Sequence, residues 1–279
     1  SLRQNIIFWF MVNLFVPWDV AVATRLGRTQ QSLARDVPLW LEAWYEIEAH
    51  NALAHAAYLN PDDVFPVFDE SVVFEAEALG HPLIPFARRV TNDFTFAPRD
   101  RAMLVTGSNM SGKSTFLRTV GLAMVLAYAG GAVPAHRLTL SRQRIFTCIS
   151  VSDSVVDGIS YFYAEVKRLK ALLEAVKADG LPVLYLIDEI FKGTNNRERL
   201  AGSRDYIQAL IQTGGRGLVS THDLDLTQLA DELDGVRNGH FREEVRDGQM
   251  VFDYHLRAGP CPTTNALKIM ALEGLPVKA

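Results

Sequence analysis

Residues Gly107 to Thr115 read Gly-Ser-Asn-Met-Ser-Gly-Lys-Ser-Thr and lie between two apolar runs, Ala102–Thr106 and Ser114–Tyr128. The first run has the texture of a strand and the second that of a helix. Strand before and helix after is the context in which G-x-x-x-x-G-K-[ST] acts as a phosphate-binding loop. Gly107 and Gly112 let backbone N–H groups turn inward toward phosphate oxygens. The helix start adds its dipole to the same negative charge. Lys113 is then placed to reach the β- and γ-phosphates, and the Ser114 hydroxyl to ligate Mg²⁺. The plainer alternative is a glycine-rich turn with a chance lysine.

A chain built round that unit is expected to alternate strands and helices, and this one does. Phe162, Val166, Leu169, Leu173 and Val176 recur at helical spacing, and Leu200–Ile211 is a second helical run. Val183–Ile187 and Gly217–Ser220 are continuous apolar runs, as in strands buried on both faces. Phe241–Val245 and Met250–Tyr254 flank a polar turn and predict a hairpin. The pattern is α/β. Upstream, Ser1 to about Leu59 reads as helical, and Asn60-Pro61-Asp62-Asp63 is a stop signal. Short strands are expected at Val72–Phe74 and Phe94–Phe96. The predicted division is a helical segment, 1–62, and an α/β domain, 63–279.

Charge and cysteine usage narrow the function classes. The 28 Lys+Arg against 32 Asp+Glu give a net charge of −4, which excludes a generally basic mode of nucleic-acid binding. The only cysteines, Cys148 and Cys261, read as reduced structural thiols in a cytoplasmic protein. The first residue is Ser1, which suggests a piece of a longer chain. The apolar stretch Ile6–Val16 is shorter than the roughly 20 residues of a membrane span and carries Asn13, with Pro17 just after. A buried helix is expected there, and a membrane-proximal segment is the alternative.

Three further pieces bear on the loop. The run Leu184–Ile187 ends in Asp188-Glu189. Asp188 would hold Mg²⁺, and Glu189 would deprotonate an attacking water; alternatively the pair is a capped strand end. Ser220-Thr221-His222-Asp223 ends the next apolar run, at the strand ends where α/β sheets bind ligands. His222 would contact the γ-phosphate or the water, or else be structural. Asp157–Phe162 opens the amphipathic helix with Ser160 at a cap position. Spacing alone favours a simple cap; the alternative is docking of this helix start on a γ-phosphate held by a second subunit. The basic clusters Lys167-Arg168-Lys170 and Arg197/Arg199/Arg204 read as solvated helix faces balanced by Glu165, Glu174 and Glu198.

In order and wording these pieces resemble the MutS family. Thr106–Arg118, T-G-S-N-M-S-G-K-S-T-F-L-R, resembles the family's T-G-P-N-M-G-G-K-S-T-[YF]-x-R, and the Asn-Met pair sets it apart from generic phosphate loops. Ile145-Phe146-Thr147 with Ser160-x-Phe162-x-x-Glu165, Asp188-Glu189-Ile190 with Gly193-Thr194, and Ser220-Thr221-His222 resemble further family stretches in the same order. The resemblance implies an ABC-class P-loop NTPase fold, its mainly parallel sheet flanked by helices and preceded by the end of lever and core helices. It implies ATP and Mg²⁺ as cofactors and a head-to-tail homodimer of ATPase domains. It also implies DNA bound through upstream domains, and a possible repair-protein partner. On this analogy Gly107, Ser108, Asn109, Met110, Ser111, Gly112, Lys113, Ser114 and Thr115 bind phosphates. Ser114 and Asp188 serve Mg²⁺, while Lys113, Glu189 and His222 carry catalysis. Ser160 acts in trans, and Asn92 and Tyr254 match positions near the family's adenine pocket.

The chain departs from the family pattern in places. Ser108 and Ser111 replace the usual Pro and second Gly, and Phe191-Lys192-Gly193-Thr194-Asn195-Asn196 replaces the common G-R-G-T-S/T, which points to a divergent subgroup. The adenine-stacking position falls near Arg89 or Val90. Phe68-Asp69-Glu70 matches the family's mismatch wedge by letters but lies outside its context. Three readings follow: an ATPase coupled to DNA clamp movement in mismatch repair or recombination; a divergent paralogue, tethered to a membrane by upstream segments, that reads no mismatches; and a nucleotide-locked dimerisation module.

Overall fold

The computed structural model describes residues 6–149, 161–191, 194–246 and 249–262. The chain divides into two compact units, Ser1–Tyr58 and Leu59–Ala279. The first unit is helical. Helix α1 (Ile6–Phe15) and helix α2 (Trp18–Leu59) meet at a 76° bend. Pro17 sits at the break, where a proline both lacks an N–H and clashes with the preceding turn. The expected burial of the first helix does not occur: none of its residues is buried, and Ile7 is 77% exposed. Apolarity alone predicted a covered face, but no described residue of this unit lies over it.

The second unit runs β1 (Val67–Phe68), β2 (Phe74–Leu79), β3 (Asn92–Phe96), β4 (Ala102–Thr106), α3 (Lys113–Tyr128), β5 (Arg137–Leu140), β6 (Arg144–Cys148), α4 (Tyr161–Lys177) and β7 (Val183–Asp188). It continues through α5 (Asn196–Gln212), β8 (Arg216–Ser220), α6 (Leu229–Glu232), β9 (Val236–His240), β10 (Glu243–Arg246), β11 (Gln249–Phe252) and β12 (Arg257–Ala258). A four-stranded sheet has the order β1-β5-β2-β3, and a six-stranded sheet the order β12-β9-β4-β8-β7-β6. In the larger sheet only the β12–β9 edge pairs antiparallel; the other pairings are parallel. Strands β10 and β11 form the expected hairpin. The strand expected at Val72–Phe74 instead starts at Phe74 and runs to Leu79, where Phe74, Ala76 and Leu79 supply its buried positions.

The centre of the larger sheet is apolar because both faces are covered. Side chains alternate across a strand. Leu184 and Leu186 therefore join Met103, Val105, Leu218 and the α3 residues Leu117 and Val120 in one core. Tyr185 and Ile187 join Leu104, Val219 and the helical residues Leu172, Ile207 and Leu210 in the other. Each such aliphatic side chain contributes about 1.5–3 kcal/mol of burial. Two cores locked on one sheet fix the positions of the strand ends.

Gly217 and Tyr185 face each other across β8 and β7. A Cβ on Gly217 would fall 2.0 Å from the Tyr185 carbonyl oxygen and 2.4 Å from the ring. Gly217→Ala is therefore expected to cost about 3 kcal/mol, the upper range for overpacking. The Tyr185 hydroxyl is buried without a hydrogen-bond partner among the described residues, and burial pushes its pKa up. Removing an unsatisfied buried group relieves its desolvation cost. Tyr185→Phe should raise the unfolding free energy by about 1 kcal/mol, read as a higher urea midpoint; a drop of that size would show that the hydroxyl has a stabilising partner.

Candidate functional site

Register brings the site together. Val105 of β4 and Asp188 of β7 both pair with Ser220 of β8. Three parallel strands thus end at one level, at the carboxyl edge of the sheet where α/β folds hold ligands. The Asp188 carboxylate, largely buried, accepts a hydrogen bond from Ser114 Oγ at 2.9 Å and a short one from Ser220 Oγ. The first residues of α3 are tied in this way to the ends of β7 and β8.

Between β4 and α3 the loop takes a shape that needs its glycines. Gly107 has φ +143° and Gly112 +112°, both in the region that favours glycine. A Cβ on Gly107 would lie 2.5 Å from the Phe241 carbonyl oxygen and 2.7 Å from Ser111 Oγ. Lys113 is almost fully covered and donates from Nζ to the carbonyls of Gly107, at 2.8 Å, and Ser108, at 2.7 Å. Its ammonium is thus folded over the loop. Helix α3 begins at Lys113 with no side-chain cap, so its opening N–H groups remain for a ligand. Ser111 Oγ is buried without a hydrogen-bond partner among the described residues. Asn109, Met110 and Thr115 are exposed on the loop and first helical turn. Ser108 Oγ donates to Glu243 Oε2 at 2.7 Å, so that hydroxyl is turned toward a carboxylate.

Glu189 and His222 follow the strand ends. Glu189 has φ +59°, and its N–H donates to the Ser220 carbonyl at 3.1 Å. Its Oε1 lies 3.3 Å from His222 Nδ1, with the Glu189 side chain mostly covered and the imidazole 43% exposed. The turn that carries His222 is braced by Arg199, whose guanidinium donates to both Asp223 oxygens at 2.9 and 3.1 Å. Arg199 is therefore not part of a solvated face; its side chain is only 12% exposed. Glu165 departs further from expectation. It is buried, and Oε1 accepts from the Phe191 N–H at 2.7 Å. Phe191, at φ +56°, lies just after Asp188-Glu189. Glu165 thus ties α4 to the loop that presents Glu189. Ser160, Lys192 and Gly193 lie outside the described residues.

Beside the glycine loop is a cavity of about 460 Å³, lined by His81, Val90, Asn92, Gly112, Phe116 and Tyr254 among others. Asn92 and Tyr254, which the family resemblance places near an adenine pocket, both line it, and the Asn92 amide is engaged within the chain. Its Nδ2 donates to the Tyr254 carbonyl at 3.1 Å, and its Oδ1 accepts from the Leu256 N–H at 2.6 Å. Asn92 therefore positions Tyr254, whose ring packs over Gly112. Of the two expected stacking positions, Val90 lines the cavity. Arg89 instead donates to the Ile84 carbonyl and faces Asp63. His81 was missed in the sequence, where it stands only between Gly80 and Pro82. Burial, with Arg118 and Arg89 nearby, lowers its pKa, which favours a neutral imidazole in the cavity wall.

Fold and site define an α/β domain with a strand–glycine loop–helix unit and carboxylates at the neighbouring strand ends. The family profile for MutS domain V matches residues 103–279. Two similar relatives are the DNA mismatch repair protein MutS 2 of Haloarcula marismortui, 35% identical over 71% of this chain, and the DNA mismatch repair protein MutS of a Caulobacter species, 33% identical over 88%. The chain belongs to the MutS family. It spans 21% and 28% of the length of those relatives.

Glu165 gives this site a test that needs no ligand. A hydrogen bond to a buried charged group contributes about 1.5–3 kcal/mol. Glu165→Ala should lower the unfolding free energy by about 2 kcal/mol, and Glu165→Gln, which keeps an acceptor, should recover at least half of it. Denaturant titration of both variants measures this; equal losses would mean that the carboxylate oxygen is not what holds Phe191.

Proposed function

We propose that this domain hydrolyses ATP with Mg²⁺, as a divergent MutS-family ATPase of the ABC class that works as a head-to-tail dimer. One observation carries the reading: Lys113, Ser114, Asp188, Glu189 and His222 converge at the ends of three adjacent parallel strands. The donor set fits Mg²⁺, which takes hard oxygen ligands and is commonly held by one or two carboxylates together with substrate phosphates. Ser114 Oγ and Asp188 Oδ1, 2.9 Å apart, would hold it. Bound there, the ion would neutralise phosphate charge.

The remaining roles belong to the chain's own groups. Gly107 to Gly112 and the uncapped start of α3 offer backbone N–H groups to phosphate oxygens. Lys113 exchanges the carbonyls of Gly107 and Ser108 for phosphate oxygens. Glu189 takes the proton of the attacking water. His222, held against Glu189 and steadied through Arg199–Asp223, orients that water or meets the γ-phosphate. The base lies in the cavity beside Tyr254, with His81 and Val90 in its wall. Ser160 of the facing subunit completes the phosphate shell. In the whole protein this turnover drives DNA clamp movement, with DNA held by other domains and a repair protein as a further partner, in the cytoplasm.

The test is steady-state ATP hydrolysis with Mg²⁺. Glu189→Gln should cut kcat by about 10²- to 10⁴-fold, the usual weight of a general base, while leaving ATP binding intact. Lys113→Ala should weaken ATP binding itself. Turnover unchanged by Glu189→Gln removes Glu189 as base. Background turnover in the parent protein, with nucleotide still driving dimerisation, favours the nucleotide-locked module.

A further inference from the structure

The helical unit carries an apolar surface that the nucleotide site does not use. From Ile6 to Thr24 the only charged residue is Asp19. Ile7, Phe10, Leu14 and Phe15 are each more than half exposed. Among the described residues no single helix is long and apolar enough to cross a membrane, and only the bent pair of α1 and α2 reaches that length and composition together. At 1.5 Å per residue the 10 residues of α1 reach about 15 Å, half the hydrocarbon thickness of a bilayer.

The polar groups of this stretch are turned onto one another. Trp9 Nε1 donates to Asp19 Oδ2 at 2.9 Å, Asn13 Nδ2 to the Trp9 carbonyl at 3.1 Å, and the Asp19 N–H to Asn13 Oδ1 at 3.0 Å. The Val16 and Trp18 N–H groups bond within the bend. A break in a helix is tolerated at membrane depth only when its freed groups are satisfied in this way. Water would make the same satisfaction unnecessary.

The first charges beyond the stretch, Arg25 and Arg28, are both positive, and Arg35 pairs with Asp36 at 2.8 Å. Between Asp19 and Asp36 the chain has Arg25, Arg28 and Arg35 and no acidic residue. Arginines following an apolar helix favour the anionic face of a bilayer and fall within reach of its headgroups.

We propose that α1 and the first turns of α2 insert as a bent wedge into one leaflet of an anionic lipid bilayer. The arginines at 25 and 28 then sit at the headgroups, and α2 leads away from the surface. This attachment is independent of nucleotide chemistry.

The test is flotation of the whole chain with vesicles of phosphatidylglycerol and phosphatidylethanolamine, without nucleotide. The parent protein should float. Ile7→Asp/Phe10→Asp/Leu14→Asp, at exposed positions, should reduce binding at least tenfold, with the unfolding transition of the α/β domain unchanged. Arg25→Glu/Arg28→Glu should weaken binding to these vesicles and leave binding to phosphatidylcholine vesicles little altered. In a Trp40→Phe/Trp44→Phe background, the remaining Trp9 and Trp18 should be quenched by acyl-brominated lipid. A parent protein that stays with the soluble fraction overturns the proposal, whether monomeric or self-associated, as does equal flotation of the triple-aspartate variant. Flotation that persists in Glu189→Gln keeps this outcome separate from any failure of the ATPase reading.

Discussion

The Asp188 carboxylate is the tie on which the site depends. It accepts hydrogen bonds from Ser114 on α3 and from Ser220 on β8, so one side chain joins a helix start and two strand ends. A carboxylate this buried would cost several kcal/mol without such hydrogen-bond donors, on the order of the penalty for an unpaired buried polar group. The register that sets Asp188 opposite Ser220 is fixed in turn by apolar side chains on both faces of β7 and β8. Slipping that register by one residue would exchange the two faces and empty both cores. Packing energy far from the chemistry therefore fixes the geometry of the oxygen donors.

Strain collects where the site is built. Met110, Glu189, Phe191 and Tyr254 have positive φ, four of the five such non-glycine residues among the described residues. Each such conformation costs about 1–3 kcal/mol. Three of them have visible braces: the Ser220 carbonyl for Glu189, the Glu165 carboxylate for Phe191, and the Asn92 amide for Tyr254. Met110 stands exposed on the loop at 83%, with no such brace among the described residues. It also lines the cavity beside the loop.

Much of the arrangement was legible because its signals are local. The glycine loop, the apolar strands and the Asp-Glu and Thr-His strand ends each occupy a few consecutive residues, and buried parallel strands announce themselves as unbroken apolar runs. What escaped was set by distant contacts. Glu165 reads as a surface acid on an amphipathic helix until Phe191, 26 residues on, is brought to it. Nothing local in the sequence signals that the Asn92 amide is engaged by Tyr254, 162 residues away. Arg199 looked solvated until Asp223 paired with it. The apolar first helix failed differently: periodicity and composition report that a face avoids water, not what covers it.

The proposed role of Ser114 and Asp188 is to hold Mg²⁺ together with ATP. It is tested most directly by measuring ATP affinity with Mg²⁺ and with EDTA, in the parent protein, in Asp188→Asn and in His222→Ala. Mg²⁺ should tighten ATP binding in the parent and in His222→Ala, and this coupling should disappear in Asp188→Asn. Undiminished coupling in Asp188→Asn would contradict it and place the ion elsewhere.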